Sequence, residues 1–220
     1  MINLVDKVIF LDDVQYDKGG WRNRNRVRNA LGPVWLSVPV MSKGLSIQLL
    51  NEVKIVSNNN WKNKHIKTLQ LNYPNADINL INGLQDTLQM RYESLVELNL
   101  QVMYFLFKTL SIDKKVFLSS DFEVSKDKNG RLIELCQKVG ATGYLSGLSA
   151  KSYIKASEFK ESEIDLMWYR FDHSIEYPQR GKPFISHLSI LDLLLNNSVE
   201  YTKSYLLRQN VIEEMRQTYT

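Results

Sequence analysis

Val116-Phe117-Leu118-Ser119-Ser120, a helical pattern over residues 131–139, and then Thr142-Gly143-Tyr144-Leu145-Ser146-Gly147 make up the stretch on which the fold class turns. Both apolar runs are short, carry β-branched or aromatic residues, and close on small polar residues, as a buried strand does where it enters a loop. Between them, Leu132, Ile133, Leu135, Cys136 and Val139 form the apolar side of a helix, and Gly140 is placed to end it in the left-handed conformation. Strands alternating with helices in this spacing predict parallel pairing.

The same alternation extends outward. Val8-Ile9-Phe10-Leu11 reads as a strand closed by Asp12 and Asp13. Residues 34–40 set Val, Leu and Val against Trp, Ser and Pro as a second strand, with Pro39 marking an edge, and residues 53–56 form a third. Asn58, Asn59 and Asn60 are N-cap candidates for a helix from Trp61 to Asn72, which Pro74 stops. Leu95, Leu98, Val102, Phe105 and Leu106 recur at three- and four-residue steps, predicting a long amphipathic helix over residues 92–110. A helical patch at 156–163, a strand at 165–171 and a helix at 190–195 complete the pattern. The expectation is an α/β fold, a mostly parallel, Rossmann-like sheet flanked by helices, in one domain of residues 1–197 with a helical tail over 198–220. A parallel sheet would bring Asp12-Asp13, Ser119-Ser120 and Ser146-Gly147 to one edge, where open α/β sheets bind ligands.

With 220 residues, 44% apolar and 24% charged, the chain can bury one good core. Its net charge of +4 is small, but Arg22, Arg24, Arg26 and Arg28 crowd one stretch, which favours a local anion site over a coat for nucleic acid. The single cysteine, Cys136, excludes an internal disulfide and a Cys-based zinc site, and a reducing cytoplasm is the compatible compartment. No apolar run reaches the roughly 20 residues of a membrane span, and the opening residues lack the pattern of a signal peptide.

Several residues are candidates for chemistry. Asp12 and Asp13, at a strand end, suit a general base or Mg²⁺ coordination through oxygen, and Gln15 offers an amide to a sugar or base. In Trp21-Arg22-Asn23-Arg24-Asn25-Arg26-Val27-Arg28-Asn29, guanidinium groups that grip phosphate alternate with amides that bond hydroxyls. Extended, the segment puts Arg22, Arg24, Arg26 and Arg28 on one face and Trp21, Asn23, Asn25 and Val27 on the other. The bland alternative is an edge strand protected by charge. His65, four residues after Trp61, is a candidate acid or base, whereas His173 and His187 stand alone as part-buried, hydrogen-bonded imidazoles, and no histidine spacing indicates a metal site. Ser119, Ser120, Ser146 and Gly147 suit phosphate or carbonyl binding, and Tyr153, Tyr177 and Gln179 suit sugar hydroxyls, against ordinary packing. There is no nucleophile elbow, Walker A or Gly-x-Gly-x-x-Gly motif.

The run Phe10-Leu11-Asp12-Asp13-Val14-Gln15-Tyr16, with Gly20-Trp21-Arg22-Asn23-Arg24-Asn25-Arg26-Val27, resembles the signature segment of the WbqC-like family. Trp35-Leu36-Ser37-Val38-Pro39-Val40, Trp61-Lys62-Asn63-Lys64-His65 with Tyr73, Tyr144-Leu145-Ser146-Gly147 with Tyr153, and Tyr177-Pro178-Gln179 with Leu188-Ser189-Ile190-Leu191-Asp192-Leu193-Leu194 are similar to the same pattern, in order, up to about Asn197. The resemblance implies a role in O-antigen, lipopolysaccharide or related polysaccharide biosynthesis. It also implies that an opening strand, a Gln-Pro-x-Tyr-x-Pro-type turn and a Gly-Tyr-Phe helix are missing ahead of Met1-Ile2-Asn3-Leu4.

The expected activity is a transferase that acylates or aminoacylates a nucleotide-linked or lipid-linked amino sugar. Phosphate would lie on the arginine segment, Asp12 or Asp13 with His65 would manage the amine proton, and Ser146-Gly147 would shape the donor site. The alternative is a non-catalytic accessory protein that binds phosphate, a nucleotide or RNA through residues 22–28. A pI near 9.0 supports it, and the modest charge elsewhere makes nucleic acid the weaker partner. The sequence assigns no oligomeric state.

Overall fold

The computed structural model describes residues 1–42, 44, 47–57, 60–125, 127–209 and 211–214, the last four by their backbone. In chain order the regular elements are β1 (Lys7–Phe10), β2 (Arg24–Asn29), β3 (Gly32–Ser37), α1 (Trp61–Asn72), α2 (Ile78–Gln89), α3 (Leu95–Leu110), β4 (Lys115–Leu118), α4 (Lys128–Lys138), β5 (Gly143–Gly147), α5 (Ala156–Glu161), β6 (Asp165–Arg170), α6 (Ile190–Asn196), α7 (Val199–Arg208) and β7 (Val211–Glu214). They fall into two compact units. The first takes Met1–Leu11, Lys114–Asp172 and Leu206–Thr220, and the second Asp12–Asp113 and His173–Tyr205.

The first unit holds short parallel pairings flanked by helices. β1 pairs with β4, placing Val8 opposite Val116 and Phe10 opposite Leu118. β5 pairs with β6 in parallel, joined by α5, as a crossover requires. β7 then adds to β6 in antiparallel fashion. Ile133 and Cys136 of α4 pack with Phe159, Ile164, Leu166 and Trp168 in one apolar cluster, and Tyr144 stacks on Phe159 at 5.5 Å. Among the described residues the strands form three separate sheets and not a single mostly parallel one. β4 and β5 lie in different hydrogen-bonded sheets, so Ser119-Ser120 and Ser146-Gly147 end strands of separate ladders. The expected tail is helical only in α7 and continues as a strand in β7.

The second unit is built on helices and an antiparallel hairpin. β2 and β3 are joined by Ala30-Leu31 alone, a connection short enough only for antiparallel strands, and Arg26 lies opposite Trp35. Residues 53–56 make isolated bridges, Lys54 to Ser94 and Ile55 to Val40, in place of the expected strand. The long helix α3 starts three residues later than its periodicity suggests, because Ser94 and Glu97 close a reciprocal cap on its first turn. Its Leu95, Leu98, Phe107 and Leu110 are buried.

Helix α2, absent from the periodic reading, begins at Asp77, whose side chain accepts a hydrogen bond from Asn79 N–H, and buries Leu80, Ile81, Leu84 and Leu88. Gly83 permits the close packing of α2 on α3, since a Cβ there would lie 2.9 Å from the Phe105 ring. Of the asparagines ahead of α1, Asn60 occupies the N-cap position without capping through its side chain, and Asn58 and Asn59 lie outside the described residues.

Candidate functional site

The hairpin of the second unit carries its arginines every second residue, so Arg24, Arg26 and Arg28 leave one face, opposite Ser37, Trp35 and Pro33. The Arg24 guanidinium lies 4.3 Å from the Trp35 ring centroid. Arg26 lies 5.5 Å from Trp35 and 5.2 Å from Trp21. The two indoles meet at 5.0 Å and remain 57% and 41% exposed, a large aromatic surface left open to solvent.

Alternation alone assigns Trp21 to the face away from the arginines, but regular strand begins only at Arg24, and the bend over residues 21–23 turns Trp21 onto the arginine side. Arg22 is exposed, and its carbonyl accepts a hydrogen bond from Asn99 at 3.0 Å.

Each stacked guanidinium spends one terminal nitrogen on a main-chain carbonyl: Arg24 on Gly19, and Arg26 on His187 at 3.0 Å. The Nε of both has no partner among the described residues. Both Nε groups are enclosed by the protein, so the donors that stacking leaves for an oxyanion are the terminal N–H groups beyond the one each guanidinium spends on a carbonyl.

His65 lies close by in the hydrogen-bond pattern. Its ring sits 5.1 Å from Trp61 and bonds to the backbone of Ser37, the residue opposite Arg24. Burial pushes its pKa down to about 4, with the Ser37 bond pulling weakly the other way. His65 is therefore neutral at pH 7 and a weak base.

Arg28 has a different fate from its neighbours. It is buried, donating from Nη1 to Gln179 Oε1 at 2.7 Å and to the Pro183 carbonyl at 2.7 Å. Gln179 Nε2 donates to Asp192 Oδ2 at 2.7 Å, Tyr177 donates to the same oxygen at 2.6 Å, and Tyr73 donates to Asp192 Oδ1. The Tyr73 oxygen also accepts from Arg28 N–H at 2.9 Å. Burial, reinforced by the Asp192 carboxylate, drives both tyrosine pKa values far up. Tyr177 and Gln179 thus turn their polar ends inward, the packing alternative weighed for them. Asp192 went unassigned in the sequence, although one acid in the Leu-rich run 188–194 signals a buried partner.

A model of the WbqC-like protein family matches residues 1–204. The chain belongs to the WbqC-like family. It is also similar to an uncharacterized protein of Mycobacterium tuberculosis (strain ATCC 25618 / H37Rv), Rv1507c, at 35% identity over 203 residues, covering 91% of this chain and 87% of that one. No solved structure matches.

The other site candidates of this WbqC-like chain are dispersed. Asp12 is sealed at 2% exposure with its carbonyl accepting from Asn51 N–H, and Asp13 is half-buried. Gln15 is exposed and forms a backbone bridge to Leu49, Asn23 donates to the Val38 carbonyl, and Asn25 bonds its own neighbour, the Arg26 N–H. In the first unit Ser119 is buried and Ser120 exposed, Ser146 hydrogen-bonds Tyr144, and the α side of Gly147 is open space. Tyr153, in the same unit, is half-exposed beneath Lys128, whose ammonium lies 5.4 Å from its ring.

His173 and His187 are not solitary as the sequence suggested. Their rings stack at 3.8 Å, and both residues are exposed. Among the described residues no three His, Cys, Asp or Glu side chains gather as a metal site, and no helix is long and apolar enough to cross a membrane.

Proposed function

We propose that the chain is a cytoplasmic transferase that acylates or aminoacylates a nucleotide-linked or lipid-linked amino sugar in O-antigen or related surface-glycan biosynthesis. The observation that carries this reading is the open Trp21–Trp35 pair with Arg24 and Arg26 laid over it, each guanidinium spending only one terminal nitrogen on the protein among the described residues. An indole face takes a base or sugar ring, and an adjacent fixed guanidinium takes the phosphate that follows it. Family membership supports the biosynthetic context.

In this reading the sugar amine attacks the carbonyl of an activated acyl thioester or ester donor; the new C–N bond forms as the donor's C–S or C–O bond breaks, and the amine proton passes by way of a carboxylate to the departing thiolate or oxyanion. Asp13, half-buried, is the more accessible of the two aspartates, while neutral His65 orients the hairpin end through Ser37. Of the two carboxylates considered for Mg²⁺, Asp13 rather than the sealed Asp12 would be open to hold it, and the ion would supply charge neutralisation for a ligand phosphate. Ser119, Ser120, Ser146, Gly147 and Tyr153 belong to donor binding, with the first unit taken as Rossmann-like on the strength of its parallel β5–α5–β6 crossover. Incubating the protein with nucleotide amino sugars and a panel of acyl and aminoacyl donors, and reading products by mass, tests the proposal. New covalent adducts are expected, and their absence across the panel defeats it.

The same exposed indoles also suit stacked bases of single-stranded RNA without catalysis. Two arginines neutralise few phosphates, so counterion release predicts a shallow salt dependence for a nucleotide sugar; a steep slope with RNA would favour this second reading.

A further inference from the structure

We infer that the loop over residues 176–184 of the second unit, together with the ends of α1 and α6, forms a separate binding site for a small phosphorylated sugar. A cleft of about 430 Å³ opens there, and it shares no lining residue with the Trp21–Trp35 face. That volume lies in the range of small-ligand pockets, roughly 300 to 1,000 Å³. Its walls divide by chemistry. The half-buried Tyr177 and Phe184 supply ring surface, edge to face at 5.1 Å, with the buried Tyr73 behind them. Arg180, Lys182 and Glu176 stand at the solvent side.

The floor is already formed. The polar ends of Tyr73, Tyr177 and Gln179 are committed to Asp192, which is wholly buried, so the rings cannot swing into the cleft without breaking that network. Gly181 holds the loop against Arg28 at φ +87°, a conformation that favours glycine. Arg180 is tethered at both ends, its N–H to Asn196 Oδ1 at 2.9 Å and its Nη1 to the Asn72 carbonyl at 2.9 Å. Its remaining guanidinium donors, and the Lys182 ammonium, have no protein partner among the described residues.

Two cations with spare donors fit one oxyanion. Glu176, which makes no ion pair among the described residues, and the exposed amide of Asn75 fit hydroxyl groups. An aromatic floor fits the apolar face of a sugar ring. A fatty acid would satisfy the cations and rings but leave Glu176 and Asn75 idle. A sugar phosphate uses all of them.

Calorimetric titration of the full chain with glucose 1-phosphate, inorganic phosphate, glucose and butyrate decides the matter. Glucose 1-phosphate is expected to bind more tightly than the other three. The Arg180→Gln/Lys182→Gln variant should weaken it by at least roughly tenfold, the loss of one or more charge-assisted contacts. Because the Trp21–Trp35 face also fits a sugar ring with a phosphate, the titrations are repeated in the Trp35→Ala background, where loss of affinity on adding Lys182→Gln reports this cleft alone, so failure here and failure of the transferase reading are told apart. If the double variant melts at a lower temperature, Lys182→Gln alone carries the test, since Lys182 is exposed and its ammonium has no partner among the described residues. No binding by wild type, equal binding of glucose or butyrate, or unaltered affinity in the variant would overturn the inference.

Discussion

Arg28 and Asp192, both buried, are joined through a single amide: Gln179 accepts from the Arg28 guanidinium with Oε1 and donates to the Asp192 carboxylate with Nε2, each at 2.7 Å. Two charges taken out of water are thereby compensated through one neutral side chain, with Tyr73 and Tyr177 filling the remaining positions on the acid. Such networks are costly to leave half-made, because each orphaned donor keeps its desolvation penalty.

Asp192→Ala is expected to destabilise the protein by about 3 to 5 kcal/mol, as it leaves the buried Arg28 charge uncompensated and takes the acceptor from the Tyr73 and Tyr177 hydroxyls. Tyr177→Phe, which removes one hydrogen bond to the charged acid, should cost about 1.5 to 3 kcal/mol. Urea unfolding of both, and of the double variant, measures the two costs and shows them to be non-additive if the network acts as a unit.

Gly181→Ala should cost about 1 to 3 kcal/mol for backbone strain alone. The added Cβ would also lie 2.7 Å from Arg28 Nη2, displacing the guanidinium from Gln179. Thermal unfolding checks this, and an unchanged midpoint would refute the role given to this loop.

Arg24→Ala and Leu98→Ala should separate ligand grip from scaffold. Arg24 is half-buried on an open face, so its loss should change stability by no more than about 0.5 kcal/mol while weakening binding of a nucleotide sugar by about 1.5 to 3 kcal/mol. Leu98, at 2% exposure on α3, should cost about 2 to 5 kcal/mol of stability and leave ligand affinity alone. Melting curves and titrations on both variants give the comparison.

His65 makes stability depend on pH in a definite direction. Its folded pKa of about 4 lies below the ordinary 6.5, so between these values the unfolded chain holds a proton that the folded chain refuses. The stabilisation is complete above pH 6.5 and is lost as pH falls towards 4. Urea midpoints measured from pH 7.5 down to 4 should decline across that window, and His65→Gln should flatten the decline.

Cys136 should resist alkylation in the native state. It is 4% exposed, and burial pushes its thiol up to about 11, leaving little thiolate at neutral pH. Iodoacetamide labelling followed by mass spectrometry is expected to be slow in buffer and fast in urea.

Apolar spacing was enough to place α3, α4 and the strands from β4 to β6, because it reports which side of an element is buried, while α1 was placed by its flanking asparagines and Pro74. Helix α2 escaped it: Asn79, Asn82, Gly83 and Gln85 dilute the apolar pattern, and only packing on α3 reveals the Leu80–Leu84–Leu88 stripe. The site was legible in its residue types and not in its grouping. Arg24 and Trp21 were named by the sequence, but Trp35, which completes their face, reads as an ordinary strand residue.

By itself the amino-acid sequence determined the alternation of strands and helices over residues 115–170, the crowding of four arginines in seven residues, the family, and the lack of a second cysteine for any internal disulfide. These are local or compositional properties, carried by neighbouring side chains. Only the tertiary structure decided which arginines face solvent and which is entombed. Arg24, Arg26 and Arg28 are equivalent in spacing, yet Arg28 alone meets Gln179, 151 residues away, whose other end reaches Asp192. Which strands pair was settled in the same way, since the hydrogen-bonding partners of an extended segment lie far along the chain and leave no periodic trace within it.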